Sequence, residues 1–196
     1  FEDGMSRLSD EEAKDFKSVG KAVEEYAIEC SLNKVFASEV LDYIVDEGVQ
    51  IHGGYGYMAE YEIERMYRDS RINRIFEGTN EINRLIVPAT FLRKAMKGEL
   101  PLLQKAQALQ EELMMLMPEE PGDEPLAQEK YLVKNAKKIG LMIAGLAAQK
   151  FGKSLTKEQE ILANIADIVS NAYSMESAIL RTVKAIAKDG VEKAKQ

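Results

Sequence analysis

Glu77 is the residue in this sequence best placed to do chemistry. It stands between an aromatic and a glycine in Phe76-Glu77-Gly78-Thr79-Asn80, just ahead of an apolar-periodic run. Gly78 lets the backbone turn and lets a ligand approach closely. Thr79 or Asn80 can cap the helix expected to follow. The positive end of that helix lowers a carboxylate pKa, whereas an apolar pocket lined by Phe76 raises it. A carboxylate held between those influences suits a general base. The competing reading is a glutamate that simply favours a helix dipole, and spacing alone favours that one.

A second irregular patch lies upstream, with Gly53, Gly54 and Gly56 close together and Gln50 and His52 beside them. Such a turn can present backbone amides to an anion or a flat ring, or it can merely reverse the chain between helices. No strand precedes it and the spacing does not fit a dinucleotide fingerprint. His52 is the only histidine and has no cysteine or second histidine at ligand spacing, so no metal site is expected. Arg65, Arg68, Arg71 and Arg74 fall three apart among Glu62, Glu64 and Asp69. That pattern fits an internal ion-pair lattice better than a phosphate clamp.

The elements that must position these residues read as helices. Ser9 with Glu12 forms a capping-box pattern. A long helix is expected over residues 21–47, with Val23, Ala27, Cys30, the Lys34 stem, Ala37, Leu41, Ile44 and Val45 at helical spacing. Gly48 sits where a left-handed cap would end it. A short helix follows at 62–70, a tight connection at 71–76, and a further helix from Asn80 with Ile82, Leu85, Ile86, Ala89 and Leu92 on one face. Pro88 should bend or break that helix, and Gly98 with Pro101 should end it.

Beyond residue 100 a second helical segment is expected. It begins with a helix over 102–117 that carries a methionine-rich tip at 113–117, followed by an acidic, proline-rich linker at 118–125. A helix over 126–151 aligns Leu132, Ala136, Ile139, Ile143, Leu146 and Ala147. Thr156 with Gln159 suggests a capping box before a last stripe through Ile161, Ile165, Ile168, Ala172, Met175, Ile179, Val183 and Ile186. The fold class is all-α, an up-and-down helical bundle over 1–100 followed by a helical extension over 101–196.

Composition narrows the partners. A formal charge of −7 argues against nucleic acid. The single cysteine, Cys30, fits a reducing compartment. No run of about 18 apolar residues is present to span a membrane, and the methionine-rich tip is better read as core filler than as a lipid contact. The chain opens on Phe-Glu-Asp-Gly and closes without a helix stop, the pattern expected of a piece of a longer protein.

Taken in order, Gln50-Ile51-His52-Gly53-Gly54-Tyr55-Gly56-Tyr57-Met58 and the run from Glu64 to Leu85 with its Phe-Glu-Gly-Thr core resemble the C-terminal helical domain of the acyl-CoA dehydrogenases. The remainder resembles the helical extension of the very-long-chain branch and its bacterial fatty-acid β-oxidation relatives. The resemblance implies an FAD enzyme that oxidises fatty acyl-CoA to trans-2-enoyl-CoA, with Glu77 abstracting the α-proton and Phe76 and Gly78 lining the substrate. It implies FAD contacts at Thr79 and Glu81, and contacts from Gln50, Ile51, Gly53 and Gly54 to the FAD of a neighbouring subunit in a homodimer or larger homo-oligomer. An electron-transfer flavoprotein or similar acceptor is the implied redox partner, in bacterial cytoplasm or a mitochondrial matrix. Val87-Pro88-Ala89 lacks an arginine that many members carry there, which leaves acyl-chain length open. The alternative function is a non-catalytic helical assembly module on the same scaffold.

Overall fold

The computed structural model describes residues 2–114 and 120–191, and every long element among them is an α-helix. In order these are α1 (Glu2–Ser6), α2 (Phe16–Glu24), α3 (Ala27–His52), α4 (Glu62–Arg71), α5 (Asn80–Met96), α6 (Leu102–Met114), α7 (Ala127–Phe151) and α8 (Gln159–Asp189), with short 3-10 turns between several of them. The chain divides into two compact units, Phe1–Thr90 and Phe91–Gln196.

In the first unit the Ser9–Glu12 capping box forms reciprocally: Ser9 N–H donates to Glu12 Oε2 at 2.9 Å and Glu12 N–H to Ser9 Oγ at 3.3 Å. It starts only a 3-10 turn at Glu12–Lys14, and Asp15 caps α2 by accepting from Ser18 N–H at 3.0 Å. The expected single helix over 21–47 is instead two, because the chain breaks between Glu24 and Ala27 before α3 begins. Gly48 does not cap α3. It lies inside the helix, where a Cβ would stand 2.7 Å from Ile63 Cδ1, so the missing side chain admits the start of α4. Gly53, with φ +59°, is the residue that ends α3.

The buried face of α3 is Ile28, Ser31, Leu32, Val35, Ser38 and Val45; Val45 belongs to the expected stripe, and the others lie beside it on the helix. Ala37, Leu41 and Ile44 of that stripe are exposed. On α5 the correction is larger: Ile82, Ile86 and Ala89 are exposed, while Asn80, Asn83, Val87, Pro88 and Thr90 are buried. Pro88 does not break α5, which runs on to Met96.

In the second unit α7 packs against both α6 and α8. Its contacts pass through small residues: a Cβ on Gly145 would meet Ala106 Cβ at 2.7 Å, and one on Gly140 would meet Ile168 Cγ2 at 3.2 Å. Val133 and Ala147 are buried with Leu162, Ile165, Ala166 and Ala172 of α8, whereas Leu132, Ile139 and Leu146 of the expected α7 stripe are exposed. Gly152, at φ +49°, closes α7. The Thr156–Gln159 capping box is not formed, because Thr156 belongs to a 3-10 turn and Glu158 precedes α8 without a side-chain cap. Of the methionine-rich tip, residues 115–117 and the side chains of Leu113 and Met114 lie outside the described residues, as do linker residues 118 and 119.

Candidate functional site

Glu77 and Gly78 are consecutive residues with positive φ, +55° and +82°. A left-handed glutamate costs of order 1–2 kcal/mol, so the surrounding structure must impose it. The cause lies in α5. Thr79 Oγ1 accepts from Ile82 N–H at 3.1 Å and caps the helix. Asn83, one turn in, turns its side chain back and donates from Nδ2 to Gly78 O at 2.8 Å and Thr79 O at 3.0 Å. The same Nδ2 lies 3.0 Å from where a Cβ on Gly78 would stand, so amide and glycine fill one space.

Behind the turn, α5 is anchored to α3 by polar side chains. Asn80 is fully buried, at 0% exposure. Its Oδ1 accepts from Lys34 Nζ at 2.6 Å, and its Nδ2 donates to Ser38 Oγ at 2.9 Å and Glu39 Oε1 at 3.2 Å. Arg84 completes the anchor with a two-pronged bond to Glu39, 2.7 Å to Oε1 and 2.9 Å to Oε2. Burial pushes the Glu39 carboxyl up, but the Arg84 and Asn80 hydrogen bonds and the charges of Arg84 and Arg74 outweigh it and hold the group below its ordinary 4.5. Arg74 pairs with Asp42 of α3 at 2.9 Å.

The loop itself stays open. Glu77 is exposed, Phe76 beside it is 45% exposed, and the Glu77 carboxylate makes no ion pair among the described residues. The Phe76-lined pocket expected around it is not closed by this unit. Glu81 is held below its ordinary value by its own backbone N–H and by the Thr79 hydroxyl, so Thr79 and Glu81 both take part in capping α5.

The glycine patch lies elsewhere on the unit. Gln50 is 12 residues beyond Ser38 on α3, about 18 Å along the axis. Gln50, Ile51, His52, Gly53 and Gly54 are all exposed, Ile51 at 83%. His52 Nδ1 is 2.8 Å from Gly48 O, a local bond. A Cβ on Gly53 or Gly54 would meet nothing within 4 Å, whereas one on Gly56 would be 2.6 Å from Val49 O. Gly56 is therefore required by packing, and packing within this unit does not require Gly53's neighbour Gly54 to be glycine.

The arginine series is largely the expected lattice. Arg65 pairs with Glu62 at 3.4 Å, Arg68 with Glu64, and Arg74 with Asp42. Arg71 lines an open groove with Tyr57, Tyr67 and Arg68. The Tyr67 phenol is pushed up by the nearby Asp46 charge.

Sequence reasoning located the Glu77 loop but missed Lys34, Ser38, Glu39 and Asn83 behind it. The available signal was Ser31, Lys34 and Ser38, polar residues three and four apart on an otherwise apolar side of α3.

Family models described as the acyl-CoA dehydrogenase C-terminal domain match residues 8–92 and 135–196. A probable acyl-CoA dehydrogenase of Bacillus subtilis (strain 168) is 74% identical over all 196 residues, which make up 33% of its length. A subunit of the caffeyl-CoA reductase-Etf complex of Acetobacterium woodii is 47% identical over 66 residues, 34% of this chain and 17% of that protein. The crystal structure of an acyl-CoA dehydrogenase complexed with FAD from Bacillus anthracis superposes with a TM-score of 0.96 at 81% identity, covering 99% of this chain and 33% of that one. The chain thus spans about a third of the length of these two Bacillus proteins. Two segments that both match that domain, and a relative 74% identical over every residue of the chain, place it in the acyl-CoA dehydrogenase family, in its C-terminal region.

Proposed function

We propose that the full-length protein is an FAD-dependent dehydrogenase of fatty acyl-CoA thioesters and that Glu77 is its base. The observation that carries this reading is the Glu77–Gly78 turn, a conformation left-handed at two successive residues on a buried polar anchor, whose carboxylate makes no ion pair among the described residues. The thioester carbonyl makes the α-proton acidic. Glu77 takes that proton, the electron pair left on the α-carbon forms the α,β double bond, and the β-carbon loses a hydride. The chemistry FAD supplies when bound is acceptance of that hydride. The Glu77 backbone N–H would donate to the thioester oxygen as charge develops there. Phe76 and Gly78 would border the acyl chain, and Thr79 and Glu81 the flavin.

The residues fit a flavin on a second ground. Gln50, Ile51, Gly53 and Gly54 are exposed together, and the two glycines leave open space above the backbone. Standing about 18 Å along α3 from the Glu77 anchor, they suit the FAD of a second subunit, and thus a homodimer or larger homo-oligomer. An acceptor of the electron-transfer flavoprotein kind would reoxidise the flavin.

The test is Glu77→Gln in the full-length protein. Flavin content should stay at the wild-type level while turnover of acyl-CoA falls by about 10²–10⁴-fold, the range for loss of a positioned base. Turnover near wild type would remove Glu77 from the role.

A further inference from the structure

We propose that Asn83 is a positioning residue for the base: its side-chain amide, donated to the carbonyls of Gly78 and Thr79, holds the Glu77–Gly78 turn in its left-handed form and so fixes where the carboxylate points. The proposal rests on the reading of Glu77 as the base, and it concerns a buried side chain bonded to the loop's carbonyls.

Three observations carry it. First, both Nδ2 hydrogens of Asn83 are spent on this one loop, at 2.8 and 3.0 Å. Thr79 O already receives Asn83 N–H at 2.9 Å in the ordinary helical pattern, but Gly78 O gets its bond from the Asn83 side chain. Second, the amide sits in the space a side chain on Gly78 would take. It is thus packed against the turn as well as bonded to it. Third, Asn83 is itself buried, on the same face of α5 as the fully buried Asn80, which is bonded to Lys34, Ser38 and Glu39. The order set by α3 therefore reaches the loop through one rigid turn of helix. A glutamate held at φ +55° needs such a constraint, because without it the residue relaxes to the right-handed or extended region. That relaxation rotates the Cα–Cβ bond and carries the carboxylate away from the α-proton.

The physical role separates this residue from a fold residue. Asn83→Asp keeps the shape but removes both donors and sets a negative charge beside two carbonyl oxygens. Asn83→Ala removes the amide altogether. Asn83→Gln keeps two donors on a stem one methylene longer. Misplacing a reacting group by about 1 Å costs about 10²-fold, which sets the scale.

The experiment measures rapid anaerobic flavin reduction by a saturated acyl-CoA in the full-length protein, together with flavin content, substrate KM and the isotope effect of an α-deuterated substrate. For Asn83→Ala and Asn83→Asp the reduction rate should fall about 10- to 100-fold with flavin content and KM within twofold of wild type. The α-deuterium effect should grow as proton abstraction becomes slower, and Asn83→Gln should recover most of the rate. Reduction within twofold of wild type in both variants overturns the proposal. So does a loss of flavin or of folded protein in both, which makes Asn83 a fold residue. Glu77→Gln, run alongside, keeps the two ideas apart. If it turns over normally the base assignment fails whatever Asn83 does, and if it is inactive while Asn83→Ala is normal, only the positioning role fails.

Discussion

At the scale of single residues, the site is made by side chains whose interest lies in what they cannot be. Gly78 combines a φ of +82° with an amide nitrogen 3.0 Å from its absent Cβ. Gly78→Ala therefore meets two penalties, left-handed strain of about 1–2 kcal/mol and displacement of Asn83. Urea unfolding of the full-length protein should show a loss of about 2 kcal/mol, and a variant as stable as wild type would mean that the turn can flip. Glu39 gives a pH-dependent counterpart. Its folded pKa is lowered, so its contribution to stability is present above its unfolded value near 4.5 and is lost as the pH falls through the lower folded value. Thermal melts of Glu39→Gln should thus be flatter than wild type on the acid side below about pH 4.5, with the gap between the two proteins widest at neutral pH. An unchanged acid limb would place the stabilising charge elsewhere. The Glu77 motif was legible from sequence because its residue types are unusual together. Asn80 was legible only as a helix cap, since a one-dimensional pattern cannot show that Lys34 and Ser38, more than 40 residues earlier, would bury and bond it completely.

At the scale of elements, the helices were legible and their facing was not. Periodicity found α4, α5 and α7 close to their observed bounds, because apolar spacing and glycine stops are local signals. It misassigned the buried sides of α3 and α5, because these helices carry apolar residues on more than one face and a polar anchor decides which face turns in. It also put the α3 cap at Gly48 instead of Gly53, since both are glycines and only the approach of Ile63 distinguishes them. The two packed glycines make a paired prediction. A methyl on Gly48 meets the far end of the Ile63 side chain, which can rotate, and a helix gains about 1 kcal/mol on replacing glycine by alanine. Gly48→Ala should stay within about 1 kcal/mol of wild type. A methyl on Gly145 meets Ala106 Cβ at 2.7 Å, an atom that cannot move without its helix. Gly145→Ala should lose about 1–3 kcal/mol through forced separation of α6 and α7. Chemical denaturation of both variants checks the ordering, and a reversed order would mean that α7 and α6 adjust more easily than Ile63.

At the scale of the whole molecule, the decisive fact is how much apolar surface the chain leaves uncovered. On α3 alone, Phe36, Val40, Tyr43, Ile44 and Ile51 are exposed at spacings that align several of them along one side. Ile82 and Ile86 do the same on α5, and Leu132, Ile139 and Leu146, seven apart, on α7. Contiguous patches of this kind mark surfaces that bind something, and a chain that spans a third of its relatives' length leaves two thirds of such a protein to cover them. Glu77 is likewise exposed and Phe76 only half covered. A carboxylate tuned for proton abstraction needs water excluded from it, and the described residues of this unit do not exclude it. The 196-residue chain produced alone should therefore be helical by circular dichroism but colourless, without tightly held FAD, and it should bind a hydrophobic dye strongly and self-associate as its concentration rises. The full-length protein should be yellow, bind little dye and keep a fixed oligomeric state over the same range. Stoichiometric FAD retained by the isolated chain would show that its own loops make a flavin site, and the division of labour argued for Gln50–Gly54 and Phe76–Glu81 would then have to be redrawn within one subunit.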